Sequence, residues 1–321
     1  MAEIEIVGFG AMNIDRLYQV DEVVVDGEQM VRDFTVLPGG SAANTIYGLA
    51  KLGIKAGFVG AVGMDNDGKE LTNDFKAITV GTSQISAKKA TTGLTFCLSD
   101  KLGKRAIYVS PGANDLLNTE DIDLAYFNQA RIVHLSSFAG DKQFNLQTDA
   151  MKKLASSVTV SLAPGMLYVA RGLKALAPLL ERAHIVFLNR EEIERLTGKD
   201  FKAGARELVK SGCRIVVVTL GKGLAKEKAS LVTAFICNAE KEYEVESEKV
   251  SPESLLETTG AGDAFAAGFL FGFLRGKEIE ECGLLGDIMA RFAISEVGAR
   301  KGLPTLAQLS QRYLQRSGNT I

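Results

Sequence analysis

Residues 255–276 read LLETTGAGDAFAAGFLFGFLRG, and three small residues, Gly260, Ala261 and Gly262, run directly into an acid, Asp263. Backbone amides freed at the start of a helix, with the helix dipole behind them, make a site for an anion. Small side chains leave those amides open. A carboxylate beside such a site gains a purpose if it faces a hydroxyl. It then accepts the proton as that oxygen attacks a phosphorus, while the amides hold the charge building on the transferred group. The plainer reading of the same residues is an N-capping aspartate after a glycine turn.

Three further groups carry polar chemistry. In LPGGSAANTIYGLAKLG (37–53), Gly39 and Gly40 precede a helix that ends near Gly53. Asn44 stands inside that helix, where asparagine is a poor former. Turned toward a cleft, its amide suits a polyhydroxyl ligand; otherwise it is a cap or a solvent-facing side chain. Asp15, in GFGAMNIDRLY, follows a strand-like run and could accept paired bonds from vicinal hydroxyls, or be a solvated turn acid. Asn189 and Glu192, in NREE, have the spacing of a capping box. The same pair could face a triphosphate and the water shell of Mg²⁺. TLGKG (219–223), with Thr219 and Gly221, reads as a glycine turn closing a strand, and is a weak phosphate-cradle signal.

These residues need a frame to bring them together. Apolar runs recur at 3–10, 56–63, 131–137, 157–164, 184–189 and 214–221, each ending in small or polar residues. Amphipathic stretches such as FNLQTDAMKKLA, LKALAPLLERA and EEIERLTG lie between several of them. Strands alternating with helices predict an α/β fold with a mostly parallel sheet buried on both faces. In such sheets ligands bind beyond the carboxyl ends of the strands, where Asp15, Ser136, Asn189 and Thr219 all fall. Residues 15–37 and 90–110 break the rhythm and read as antiparallel hairpins. They predict a small β lid (15–37 and 90–110) over a body formed by 1–14, 38–89 and 111–321, with Gly39-Gly40 as a hinge.

Composition narrows the classes. The chain has 321 residues, 46% apolar and 24% charged, with a net charge of −2. That balance argues against a surface built to track nucleic acid. The N-terminus lacks the pattern of a signal peptide, and the longest apolar run, 264–274, is too short for a membrane span. Cys97, Cys213, Cys237 and Cys282 are scattered without a CxxC pair, which suits thiols in a reducing cytoplasm. His134 and His184 sit in apolar runs and read as core or strand-end residues. No GxxxxGK[ST] occurs, and GFGAMN lacks the third glycine and following helix of a dinucleotide fingerprint.

Taken together, the segments resemble the ribokinase-like (PfkB) carbohydrate kinase family. PGGSAANTIYGLAKLG and ETTGAGDAFAAGF resemble its two signatures, supported by GAVGMDNDGKEL, PGAND, NREE and TLGKG. The resemblance implies γ-phosphoryl transfer from ATP, with Mg²⁺, to a hydroxymethyl group of a sugar. A nucleoside kinase of the same fold is the alternative, and a non-catalytic sugar- or nucleotide-binding protein is the alternative from another class. Carried over by position, Asp263 is the base, and the amides of Gly260, Ala261 and Gly262 form the anion hole. Asp15, Gly39, Gly40 and Asn44 hold the acceptor. Asn189, Glu192, Thr219 and Gly221 serve the nucleotide, with Glu192 meeting Mg²⁺ through water. The resemblance also implies a lid that often forms a homodimer contact, and acceptor choice is expected to depend on Arg32, Phe34, Phe96 and Tyr108. Glu257 replaces the usual aspartate at a monovalent-cation site, and SLAPG lacks a strand-end aspartate. FNLQTDAMKKL and the GLPT tail are closer to archaeal nucleoside-kinase-like members.

Overall fold

The computed structural model describes residues 4–102, 104–226, 230–248 and 259–321. The first half contains β1 (Ile6–Phe9), β2 (Asn13–Val20), β3 (Val31–Gly39), β4 (Ala56–Gly63), β5 (Gly81–Lys88), β6 (Gly93–Ser99) and β7 (Arg105–Ser110). The second contains β8 (Ile132–Ser136), β9 (Thr159–Ala163), β10 (Ile185–Asn189), β11 (Ile215–Ala225), β12 (Ser230–Asn238) and β13 (Glu242–Glu248). The helices are α1 (Ser41–Lys51), α2 (Asn66–Ala77), α3 (Leu124–Asn128), α4 (Asp141–Lys153), α5 (Gly165–Val169) and α6 (Leu173–Arg182). They continue with α7 (Arg190–Thr197), α8 (Phe201–Lys210), α9 (Ala261–Leu274), α10 (Ile279–Ala293) and α11 (Leu306–Ser317).

A nine-stranded sheet runs in the order β13-β12-β11-β10-β9-β8-β1-β4-β5. Every pairing from β5 to β11 is parallel, and β12 and β13 close the edge antiparallel. The six apolar runs all become strands, and their side chains alternate between the sheet's two faces. Ile185 and Phe187 of β10 join the cluster under α1, α9 and α10. Val186 and Leu188 join the opposite cluster under α4, α6, α7 and α8. Burying a Val, Leu, Ile or Phe side chain in this way contributes about 1.5–3 kcal/mol. His134 lies in the core, hydrogen-bonded through Nδ1 to Ser161 Oγ at 3.0 Å, and burial pulls its pKa down to about 3. His184 lies just before β10, with Nδ1 accepting from the Val160 amide.

The apolar run 264–274 becomes most of α9, apolar on all sides because it is enclosed on all sides. Gly268 lets α10 approach it: a Cβ there would lie 2.4 Å from the Leu285 carbonyl oxygen. This close packing gives Asp263, in the first turn, a rigid mount.

The second sheet has four strands in the order β3-β2-β6-β7. Its two hairpins are antiparallel as expected, but they join through a parallel β2–β6 pairing, so the small sheet is mixed. The order also revises which side chains face the site. Asp15 shares a cross-strand row with Leu37, Thr95 and Val109, whereas Arg16 shares one with Val36, Phe96 and Tyr108. Side chains of adjacent rows point to opposite faces. Phe34, Phe96 and Tyr108 therefore lie on the face away from Asp15, and Arg32 pairs with Asp21 in solvent. The expectation that these four select the acceptor does not fit their positions; Leu17, Leu37, Thr95 and Val109 share the Asp15 face.

The roots of this sheet are pinned. Asn114, in PGAND, accepts from the Met12 amide at 3.0 Å and donates to the Met12 carbonyl and Asn13 Oδ1. Asp65, in GAVGMDNDGKEL, caps α2 through the Gly68 amide and takes both the amide and the hydroxyl of Thr92, beside β6. Two stretches of the family resemblance thus hold the small sheet in place.

Candidate active site

Asp263 is half-buried, with its carboxylate turned onto α1. Ser41 Oγ donates to its Oδ1 at 2.7 Å and Asn44 Nδ2 to its Oδ2 at 2.9 Å, both from the first turns of α1. Thr45 Oγ1 donates to its carbonyl oxygen at 3.3 Å. Burial raises the Asp263 pKa to about 6, against the bonds from Asn44 and Ser41 and the nearby charge of Arg300, which pull it down. A carboxyl of that pKa is ionised at neutral pH and still basic enough to take a proton.

The corner before it has the expected form. Gly260 caps α9 in the left-handed region at φ 77°, with no side-chain cap, and a Cβ there would lie 2.3 Å from that of Ala299. Gly262 has open space where a side chain would stand. The first helical bond to this corner runs from the Ala264 amide to the Gly260 carbonyl. The amides ahead of it lie at the helix's positive end.

On the acceptor side, the glycine pair is demanded by close approach. A Cβ on Gly39 would fall 2.2 Å from the Asp15 carboxylate, and one on Gly40, at φ 96°, would fall 2.3 Å from the Ala11 carbonyl oxygen. Asp15 itself lies within β2 of the small sheet, beyond the turn that follows β1. Asn44 is 4% exposed, and its Oδ1 accepts from Arg300 Nε at 2.9 Å. Arg300, in the loop after α10, has no forewarning in the sequence beyond its place in the GARKGLPT tail.

On the nucleotide side, Asn189 and Glu192 form the capping box of α7: each side chain bonds the other's backbone amide at 2.8 Å. Asn189, at the end of β10, lies in register with Thr219 inside β11. Burial, and then the charges of Asp263 and Glu191, raise the Glu192 pKa, which places its carboxyl in the field of Asp263. TLGKG differs from expectation. It does not end the strand; it forms a wide irregularity inside β11, between Thr219 and Leu224, with Gly221 at φ 57° and open space beside it. Glu257 lies outside the described residues.

Direct contacts thus link Asp263, Ser41, Asn44, Arg300, Gly39 and Asp15, and Asn189 stands in register with Thr219 across β10 and β11. Arg300 also pairs with Asp74 of α2. A mostly parallel sheet, a glycine corner at a helix start and an adjoining carboxylate turned onto a second helix suit a small-molecule phosphotransferase. The family model for the pfkB family carbohydrate kinases matches residues 3–306, and the chain belongs to that family. It is a kinase of the ribokinase-like type, transferring a phosphoryl group to an alcohol. A protein of Archaeoglobus fulgidus described as an uncharacterized sugar kinase is 36% identical over 80% of this chain and 98% of its own length. A nucleoside kinase of Methanocaldococcus jannaschii is 27% identical over 85% of this chain and 84% of its own. Among solved structures, the ribokinase of Thermotoga maritima superposes with a TM-score of 0.83 at 25% identity, covering 98% of this chain and all of the other.

Proposed function

We propose that the protein transfers the γ-phosphoryl group of ATP to a hydroxymethyl group of a sugar, with Asp263 as general base. The observation that carries this reading is the carboxylate of Asp263, turned onto α1, its pKa raised to about 6, and set beside an uncapped helix start. Asp15 and the backbone at Gly39-Gly40 hold the acceptor's hydroxyls, and Asn44 orients the carboxylate as well as bordering the acceptor. As the acceptor oxygen bonds to phosphorus, its proton passes to Asp263, and the bond to the leaving diphosphate breaks. The amides of Gly260, Ala261 and Gly262 meet the developing charge. The phosphate chain lies toward Asn189, Thr219 and Gly221.

Mg²⁺ fits this donor set through water. Among the described residues no group of three acidic, histidine or cysteine side chains converges on one point. Glu192, a single acid close enough to feel the charge of Asp263, is the kind of group that Mg²⁺ meets while keeping its waters and the substrate phosphates. The bound ion would neutralise phosphate charge. The proposal includes a monovalent cation without assigning its ligands.

We also place the protein in the cytoplasm, acting on small molecules and not on nucleic acid or membranes; among the described residues no helix is long and apolar enough to cross a membrane. A nucleoside acceptor is the second reading, favoured by the relationship to the M. jannaschii nucleoside kinase. The test is a coupled assay of ADP release across pentoses, hexoses, keto-acids and nucleosides. Acceptor-dependent turnover with a sugar supports the first reading and with a nucleoside the second. Tight binding of an acceptor without turnover would overturn both in favour of a binding protein.

A further inference from the structure

Arg300 is 7% exposed, and all of its polar reach is spent inside the protein. Nε donates to Asn44 Oδ1 at 2.9 Å, Nη2 to the Gly39 carbonyl at 3.2 Å, and Nη1 pairs with Asp74 at 2.5 Å. The guanidinium carbon lies 5.1 Å from the ring centre of Tyr47 and 5.4 Å from that of Phe75. A guanidinium carries donors only, so an amide facing it must present oxygen. The nitrogen of Asn44 is thereby turned to Asp263, where a reversed amide would set oxygen against carboxylate.

We propose that Arg300 is a positioning residue for phosphoryl transfer: it fixes the Asn44 amide in the one orientation that donates to Asp263, and in the same grip anchors the Gly39 carbonyl beside Asp15. It rests on the reading of Asp263 as base. One planar cation thus sets the distance between the acceptor loop and the base, joining β3, α1 and α2 across the site. Lysine could not replace it, since a single ammonium cannot span three partners in a fixed fork.

The charged groups facing Asp263 are Arg300, from the loop after α10, and Glu192, from α7; α1 contributes neutral Ser41 and Asn44. The test compares Arg300→Met combined with Asp74→Asn, which removes both charges of the pair, with Asp74→Asn alone and with Arg300→Lys. In the double variant we expect kcat to fall about 10²-fold, as for a small misplacement of reacting groups, with the nucleotide Kd unchanged. The acid limb of its kcat/KM profile moves to higher pH. Arg300→Lys retains the charge, so its acid limb stays in place while kcat still falls. The ¹³C carboxyl resonance of Asp263, assigned by comparison with Asp263→Asn, titrates higher in the double variant and reports the same effect without turnover. If wild-type protein phosphorylates no acceptor, the kinase reading fails and this resonance alone decides the role of Arg300. A lowered melting temperature with the wild-type titration and acid limb intact in the double variant would show a merely structural residue and overturn the proposal.

Discussion

Asp263 holds its proton to about pH 6, because burial penalises the charge more than Ser41, Asn44 and Arg300 relieve it. A base must be unprotonated to act, so kcat/KM falls as the pH drops through about 6 and is level above it; a pH–rate profile without an acid limb near 6 contradicts the assignment. Asp263→Asn is expected to lower kcat by about 10²–10⁴-fold while nucleotide binding, measured by titration calorimetry, stays close to wild type. Gly260→Ala has a different consequence. Its positive φ and the 2.3 Å approach to Ala299 predict a loss of about 1–3 kcal/mol in urea unfolding, with a distorted anion corner. The corner and its acid were legible because they are contiguous in the chain. Arg300 was not: its partner Asn44 lies 256 positions away, and no local pattern marks a bond that only the tertiary fold creates.

Among the elements, the strands buried on both faces announced themselves as unbroken apolar runs, and the box at Asn189 and Glu192 was legible from spacing alone. β5, β12 and β13 escaped, being edge or antiparallel strands with polar residues interleaved, as in EYEVESE. The irregularity at TLGKG reads in the sequence as a strand end because glycines at positive φ serve a turn and a bulge alike. Face parity in the small sheet was hidden too: Phe34 and Tyr108 look like ligand contacts by type, and only the register shows them turned outward. Gly39→Ala belongs to this scale. Its methyl group would collide with the Asp15 carboxylate, so it is expected to raise KM for the acceptor about tenfold or more and leave KM for the nucleotide nearly unchanged. Equal changes in both constants would place the damage elsewhere.

For the whole molecule, the outer face of the small sheet is its most conspicuous unused surface, with Phe34 62% and Tyr108 64% exposed beside Val36 and Tyr18. We propose that two copies meet there, in line with the dimer implied by the family resemblance, since contiguous apolar surface of this kind favours association. Sedimentation should show a dimer that Phe34→Glu with Tyr108→Glu converts to monomer; a wild-type monomer at micromolar concentration would refute it. The cysteines carry a last consequence. All four are buried, and burial lifts the thiols of Cys213 and Cys282 to about 12, leaving them almost no thiolate. Alkylation must therefore wait for the chain to open. Cys97 belongs to β6, on the row facing Leu17, while the others lie within the body. A thiol reagent thus becomes a clock with two hands: Cys97 would time any opening of the small sheet, the other three the breathing of the core.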